Sequence, residues 1–393
     1  PLSKYLLNKK INYEVLNVKR LSGEKPSIIN IFITNILNFR KFKKYLIKND
    51  ITLVHGNDLR INLSWAIPAY FAGCPFIWHQ RTLISNSYWW LIIKYISTKY
   101  LVTSKTIKSI SPSNIDDIKI LPNPVSSNNS IRKKNIINKE KITLGYCGRV
   151  VKEKNIESLI ESFLYMLSKN NYNYELLIAG RGDENFVNFL KNKFTISEET
   201  KIKFIGFVEN PYYFISNLDI LICPSLIDGF GRTIIESMSV ETPVIAANAG
   251  GHKDLILNNN NGLLYNPNDK ENLLLKINSL IDNEKLRLQI ITNGKKLANE
   301  FDNNIISTEI FKLYRELHNN IIFSNRINIL HIDIEGGWGG SSKSLFELTK
   351  VIHNKYTNSS IIIGQKGKIA NEYNKLNIYN HYIGNLYSFV PRK

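Results

Sequence analysis

Short apolar runs recur along the chain, most of them closed by glycine or a proline-containing turn and followed by a stretch with helical spacing. They read TLVHGN at 52–57, PFIWHQ at 75–80, KYLVTS at 99–104, IKILPN at 118–123, TLGYCG at 143–148, LLIAG at 176–180, KFIGF at 203–207 and ILICPS at 220–225. Two more, INILHID at 327–333 and SSIIIG at 359–364, stand near the end. Continuous rather than alternating apolar character predicts strands covered on both faces, as in parallel sheets. Strands alternating with helices predict doubly wound α/β domains, whose ligands bind at the carboxyl ends of the strands.

One strand-to-helix junction carries the densest chemistry. In 228–251, DGFGRTIIESMSVETPVIAANAGG, a carboxylate (Asp228) opens a glycine-punctuated loop and a second (Glu236) follows on a predicted helix. Gly229 and Gly231 allow the backbone to approach a ligand. A helix start near Thr233 offers unpaired N–H groups and a positive dipole end to an anion. Glu236, placed in the first turn, suits hydroxyls better than phosphates. Upstream, Arg149 and Lys154 straddle a short loop after TLGYCG. Two cations at a strand end suit a diphosphate leaving group, on which charge builds as the bond breaks. A lone Gly-x-Gly turn is more often a plain connector; the ordered set of junctions points to a nucleotide-sugar site.

With these motifs, residues 141–320 resemble the nucleotide-sugar-binding half of the family-4 retaining glycosyltransferases of GT-B architecture, two Rossmann-like domains facing across a cleft. The resemblance implies Glu236 on the ribose hydroxyls and Arg149 with Lys154 on the donor diphosphate. It implies Asp228 and the amides of Gly229, Phe230 and Gly231 on the transferred sugar, with Thr233 at the helix start and Phe207 beside the base. It also implies His79, at the end of PFIWHQ with Arg81 close by, near the donor sugar. A lone strand-end histidine is as readily structural, and His55 in VHGND reads as loop scaffolding. Three departures stand out: Asp228 where Glu is usual, Glu241 where glycine usually closes the helix, and Asp254 where Glu is common. A non-glycine residue at a left-handed cap costs about 1 kcal/mol, so strain or a different cap is expected at Glu241.

The division expected is an acceptor-binding domain at 1–127, a donor-binding domain at 128–320 and a displaced piece at 321–393. The first domain lacks the family's opening strand and glycine loop, whereas 327–345, INILHIDIEGGWGGSSKSL, supplies such a unit with Ser341 or Ser342 as helix cap. This unit is predicted to fill the central slot of the first domain's sheet, where a missing strand would leave two unpaired edges. Its loop, 336–340 with Gly339 and Gly340, would bring amides toward the donor phosphates, and Trp338 would cover the sugar. A natural permutant and a window cut from tandem copies both produce this order; the missing initial methionine and abrupt end favour the window.

Charge changes the picture for partners. Residues 1–140 carry 22 Lys and Arg against 7 Asp and Glu, whereas 141–320 carry 20 against 22. Codon bias, visible in the excess of Lys, Asn and Ile, would not spare the middle segment, so a basic face for an anionic partner is expected. For this family the candidate is an acidic membrane surface bearing a lipid-linked acceptor; a merely solvated lysine-rich face is the competing reading. The cluster Tyr88-Trp89-Trp90 reads by default as core. Cys74, Cys147 and Cys223 have no metal or paired spacing and read as buried hydrophobes in a reducing cytoplasm.

No apolar run reaches the length of a membrane span. No metal site is evident, no cofactor is expected beyond the nucleotide-sugar co-substrate, and nucleic acid is an unsuitable partner because it leaves the glycine loops unexplained. The resemblance implies retaining, metal-independent transfer from a UDP- or GDP-sugar to a glycan or lipid-linked acceptor. The implied location is cytoplasmic, with the inner membrane face as a candidate surface. A nucleotide-sugar epimerase of the same architecture and an inactive fragment are the alternatives.

Overall fold

The computed structural model describes residues 28–57, 59–83, 96–111, 117–126, 137, 140–169, 172–197, 199–317, 327–333, 340–352, 357–363, 376 and 379–382. The first strands are β1 (Leu53–Asn57), β2 (Phe76–Gln80), β3 (Lys99–Val102) and β4 (Ile118–Ile120). Then come β5 (Ile142–Cys147), β6 (Tyr174–Ala179), β7 (Ile202–Gly206), β8 (Ile220–Cys223), β9 (Val244–Ala247) and β10 (Leu263–Tyr265). The last are β11 (Ile327–Asp333), β12 (Thr357–Ile363) and β13 (Tyr379–Tyr382). They form two sheets, a seven-stranded one ordered β13-β12-β11-β1-β2-β3-β4 and a six-stranded one ordered β10-β9-β8-β5-β6-β7. Every described strand pair is parallel. The α/β architecture expected from the apolar runs is therefore the one observed.

Two compact units result, Pro1–Pro124 with Asn303–Lys393, and Val125–Asp302. The division thus falls at 124/125 and 302/303 rather than at 127/128 and 320/321. The helix Asn303–Leu317 follows the second domain in sequence and is expected by the family resemblance to cross back toward the first; it packs in the first unit. Its apolar residues Ile306, Ile310, Leu313 and Tyr314 recur at helical spacing and bury against Leu53, Ile77, Leu101 and Ile329 of the sheet. Each such side chain contributes about 1.5–3 kcal/mol, enough to fix where the helix belongs.

In the first unit, β11 lies between β12 and β1, with Leu53 opposite Ile329 and His55 opposite His331. The helix after it opens at Gly340, one residue before the expected serine cap. Gly339 and Trp338 lie outside the described residues, as do Tyr88, Trp89 and Trp90. In the second unit, strand order reverses at β5, which pairs with both β6 and β8. The crevice outside such a switch point is the usual ligand site of doubly wound sheets. The loops carrying Arg149 and Asp228 leave β5 and β8 there.

Candidate functional site

The loop after β8 is shaped by close backbone packing. Gly231 caps the helix Arg232–Ser239 in the left-handed region at φ 87°, and a Cβ there would come within 3.0 Å of His252. A Cβ on Gly251 would lie 2.5 Å from the Gly229 carbonyl oxygen, and the Gly251 amide donates to the Asp228 carbonyl at 2.7 Å. The glycine pair 250–251 thus backs the 228–231 loop, a role that required knowing which two loops meet. Phe230 points into the core against Phe301, with ring centres 5.7 Å apart, so only its backbone can serve a ligand.

Asp228 is ion-paired with Lys154 and accepts from His252 Nε2 at 3.3 Å, while the His252 Nδ1 side faces the Ala247 carbonyl at 3.2 Å. Burial alone would raise the Asp228 carboxyl, but the His252 bond and the Lys154 charge outweigh it and hold the group well below the usual carboxylate range. Its side chain remains 25% exposed, so the anion is accessible. Lys154 ends a short 3₁₀ turn, and the next residue, Asn155, is left-handed (φ 58°) with its side-chain amide donating to the Pro224 carbonyl at 3.3 Å. That bond ties the β5 loop to the β8 loop. Arg149 is exposed, and its carbonyl accepts from the Tyr146 hydroxyl at 2.7 Å.

Glu236 corrects the expectation in position and in company. The helix begins at Arg232, which makes Glu236 its fifth residue, one turn beyond the first. Its Oε1 accepts from Arg232 Nε at 2.9 Å, and both side chains are buried, at 6% and 8% exposure. Arg232 was not singled out from sequence, although its i,i+4 spacing to Glu236 is a legible signal. His252 was missed because nothing local distinguishes it from any histidine after a glycine pair. The Thr233 hydroxyl donates to the Cys147 carbonyl at 3.3 Å, joining the helix start to β5. Glu241 adopts φ 63°, a left-handed cap, with Thr242 N bonded to the Ser237 carbonyl at 3.1 Å.

Beside this cluster, a cavity of about 530 Å³ opens at the ends of β6 and β7. Phe207 lines it together with Gly180, Gly182 and Lys191, and the Arg181 guanidinium stacks over the Phe207 ring at 4.9 Å. A planar aromatic group fits such a wall. Among the described residues no group of three or more His, Cys, Asp or Glu side chains is placed to hold a metal ion.

His79 lies in the first unit, buried in β2. His55 is a buried strand residue of β1 rather than loop scaffolding, and its Nε2 is 3.1 Å from His79 Nδ1. Arg81 is buried as well, donating from Nε to Asn57 and from Nη1 to Asn123. Its guanidinium therefore orders strand ends rather than projecting freely.

Residues 127–297 match the family described as Glycosyl transferases group 1. The capsular polysaccharide biosynthesis glycosyltransferase CapM of Staphylococcus aureus is 34% identical over 177 residues, which is 44% of this chain and 46% of CapM. A Campylobacter jejuni enzyme described as GalNAc-alpha-(1->4)-GalNAc-alpha-(1->3)-diNAcBac-PP-undecaprenol alpha-1,4-N-acetyl-D-galactosaminyltransferase is 29% identical over 203 residues, 51% of this chain and 55% of that one. The chain thus spans about half the length of these relatives. The crystal structure of Anabaena HepE in complex with UDP and glucose superposes with a TM-score of 0.64 at 19% identity, covering 80% of this chain and 89% of HepE. The fold is GT-B, and the match to the group 1 glycosyl transferases is confined to the segment 127–297.

Proposed function

We propose that the chain transfers a sugar from a UDP- or GDP-linked donor to a glycan or lipid-linked acceptor, with retention at the anomeric carbon and without a metal ion. The observation that carries the reading is Asp228, held ionised and partly accessible between Lys154 and His252 at the switch point of the second sheet. Asp228 occupies the cation that a donor diphosphate needs. An entering diphosphate competes for Lys154 and meets the amides at the start of the Arg232–Ser239 helix, so the leaving charge is offset by fixed donors. Glu236 takes the ribose hydroxyls, Phe207 and Arg181 flank the base, and Arg149 joins Lys154 on the diphosphate.

The acceptor is proposed to be lipid-linked, as the name of the Campylobacter relative gives for that enzyme. One helix of the first unit supports this. On the helix Ile28–Lys48 the polar Thr34, Asn35 and Asn38 are buried, while Ile29, Phe32, Ile36 and Leu37 stand 57–68% exposed. Arg40, Lys41, Lys44 and Lys48 are exposed along the following turns. An outward apolar stripe continued by cations matches an anionic lipid surface, each basic residue contributing about 1 kcal/mol. No helix among the described residues is long and apolar enough to cross a membrane.

Product analysis with a panel of UDP- and GDP-sugars, with and without a polyprenyl-diphosphate glycan and with EDTA, tests the proposal. A glycosylated lipid formed undiminished in EDTA is the expected outcome. Loss of activity in EDTA that Mg²⁺ or Mn²⁺ restores overturns the metal-independent part.

A further inference from the structure

Asp228 meets two cations, and only one of them can be given up to a ligand. Lys154 reaches Oδ1 from the loop after β5 with a side chain that is 21% exposed, on a flexible four-carbon stem. His252 reaches Oδ2 from the start of the short helix His252–Leu255 and is 1% exposed. That ring is fixed in place. Its amide donates to the Ala249 carbonyl at 3.2 Å, the preceding Gly251 packs on the Gly229 backbone, and its Cδ2 lies against the space a Cβ on Gly231 would need.

Both ring nitrogens of His252 face oxygens that only accept. Nδ1 is 3.2 Å from the Ala247 carbonyl, and Nε2 is 3.3 Å from Asp228. A neutral ring has one N–H and turns a lone pair toward one of these oxygens; the imidazolium has two and satisfies both. The neighbouring titratable groups are Tyr146 and Cys147 of β5 and Cys223 of β8. Burial first, then the Asp228 charge, pushes the Tyr146 hydroxyl and the Cys223 thiol up, so neither adds a charge. Arg149 acts on Tyr146 in the opposite sense. Glu236 is paired with Arg232 on the helix Arg232–Ser239, and Lys253 and Asp254 follow His252 on its own helix. Against the burial of Asp228, the His252 bond leads the influences that keep the carboxyl ionised, ahead of the Lys154 charge.

We infer that His252 is the charge-balancing residue of the diphosphate site: as an imidazolium it carries the Asp228 charge and so frees Lys154 for the incoming anion. It is a positioning residue, acting through Asp228 rather than on the ligand, and it rests on the reading of Lys154 as a diphosphate partner. With His252 charged, the group of His252, Asp228 and Lys154 has a net charge of about +1 and Lys154 can leave its carboxylate. With His252 neutral the net charge is about zero, and Lys154 is the cation left to Asp228. Diphosphate binding therefore weakens as pH rises through the titration of His252. By reciprocity, a bound diphosphate makes the ring hold its proton to higher pH.

Titration calorimetry of the full chain with UDP, GDP and inorganic pyrophosphate from pH 6 to 9.5 tests this. His252→Gln, which cannot titrate, supplies the baseline for the ligands' own phosphate protons. Beyond that baseline, the parent is expected to lose about tenfold in affinity in one step, the scale of one charge-assisted bond. Long-range ¹H–¹⁵N correlation with ¹⁵N-labelled histidine, assigned by the signal missing from His252→Gln, should show both nitrogens protonated at pH 6 without ligand. Its midpoint should match the affinity step and rise by about one pH unit with ligand bound. Asp228→Asn is expected to bind pyrophosphate at least as tightly as the parent at pH 6 and to show no step. A His252 that is neutral at pH 6, or a parent whose affinity follows the Gln baseline, overturns the inference, and the NMR result decides even where the Gln variant fails to fold. Pyrophosphate bound with the step while neither nucleotide binds counts against the proposed donors and leaves the role of His252 standing. No binding of any of the three overturns both.

Discussion

Replacing Glu236 separates two effects that the buried ion pair entangles. Its carboxylate accepts from Arg232 at 2.9 Å with both side chains almost fully buried, so alanine strands a desolvated guanidinium. Removing one partner of such a pair costs about 3–5 kcal/mol. At about 2–4 °C per kcal/mol for a domain of this size, the second unit should melt about 6–20 °C lower. The ribose bonds proposed for the same carboxylate are worth about 1.5–3 kcal/mol, a loss of about 10–150-fold in affinity. Stability therefore dominates in Glu236→Ala, and weakened donor binding there would prove little. Glu236→Gln keeps an oxygen for Arg232 but lacks the charge, so about 1–2 kcal/mol of stability is expected to go while most of the binding loss remains. Thermal unfolding of both variants, with calorimetric titration of UDP and GDP well below their midpoints, measures the two terms. A Gln variant that binds both nucleotides as tightly as the parent refutes the ribose contact. An Ala variant destabilised by less than about 1 kcal/mol refutes the energetic weight given to the buried pair.

Acid should loosen the first unit before the second. His55 and His79 are held well below their ordinary value of 6.5, so the unfolded chain binds protons that the folded one refuses. Their stabilisation is whole above pH 6.5 and falls below it by up to about 1.4 kcal/mol per ring per pH unit. The depressed Asp228 keeps its contribution until the pH drops below its unfolded value of 3.8. Hydrogen exchange at pH 5.5 against 7.5 should show protection lost in β1 and kept in β5; equal retention counts against the neutral buried rings. Glu241→Gly should raise the urea midpoint by up to about 1 kcal/mol of stability, by relieving φ 63° at the small expense of a 3.9 Å contact to Lys295; a destabilised variant would show the cap to be unstrained. Deleting 322–393 removes the partner strand of β1, so Leu53–Gly56 amides should exchange faster while 142–147 stay protected; unchanged β1 protection would contradict the β1–β11 pairing.

The sequence by itself determined the α/β alternation and the strand ends at Cys147, Ala179 and Cys223, whereas at Glu241 it left strain and a different cap both open and the structure decided for a left-handed cap. The alternation and the strand ends are written within a few neighbouring residues, by apolar runs and by glycine spacing. The sequence also put Asp228, Lys154 and Glu236 among the candidates, because carboxylates and cations at strand ends are local signals. Only the tertiary structure decided their partners. Asp228 meets Lys154 across 74 positions and His252 across 24, and no periodicity records a contact between two loops. His55 read as scaffolding for the same reason, since its neighbours His79, Tyr314 and His331 come from three other elements. The family resemblance had the helix Asn303–Leu317 returning to the first domain; which surface covers Ile306, Ile310 and Leu313 was decided by the sheet built from both ends of the chain. Side-chain chemistry fixes what a residue can do, and the packing of distant segments fixes what it meets.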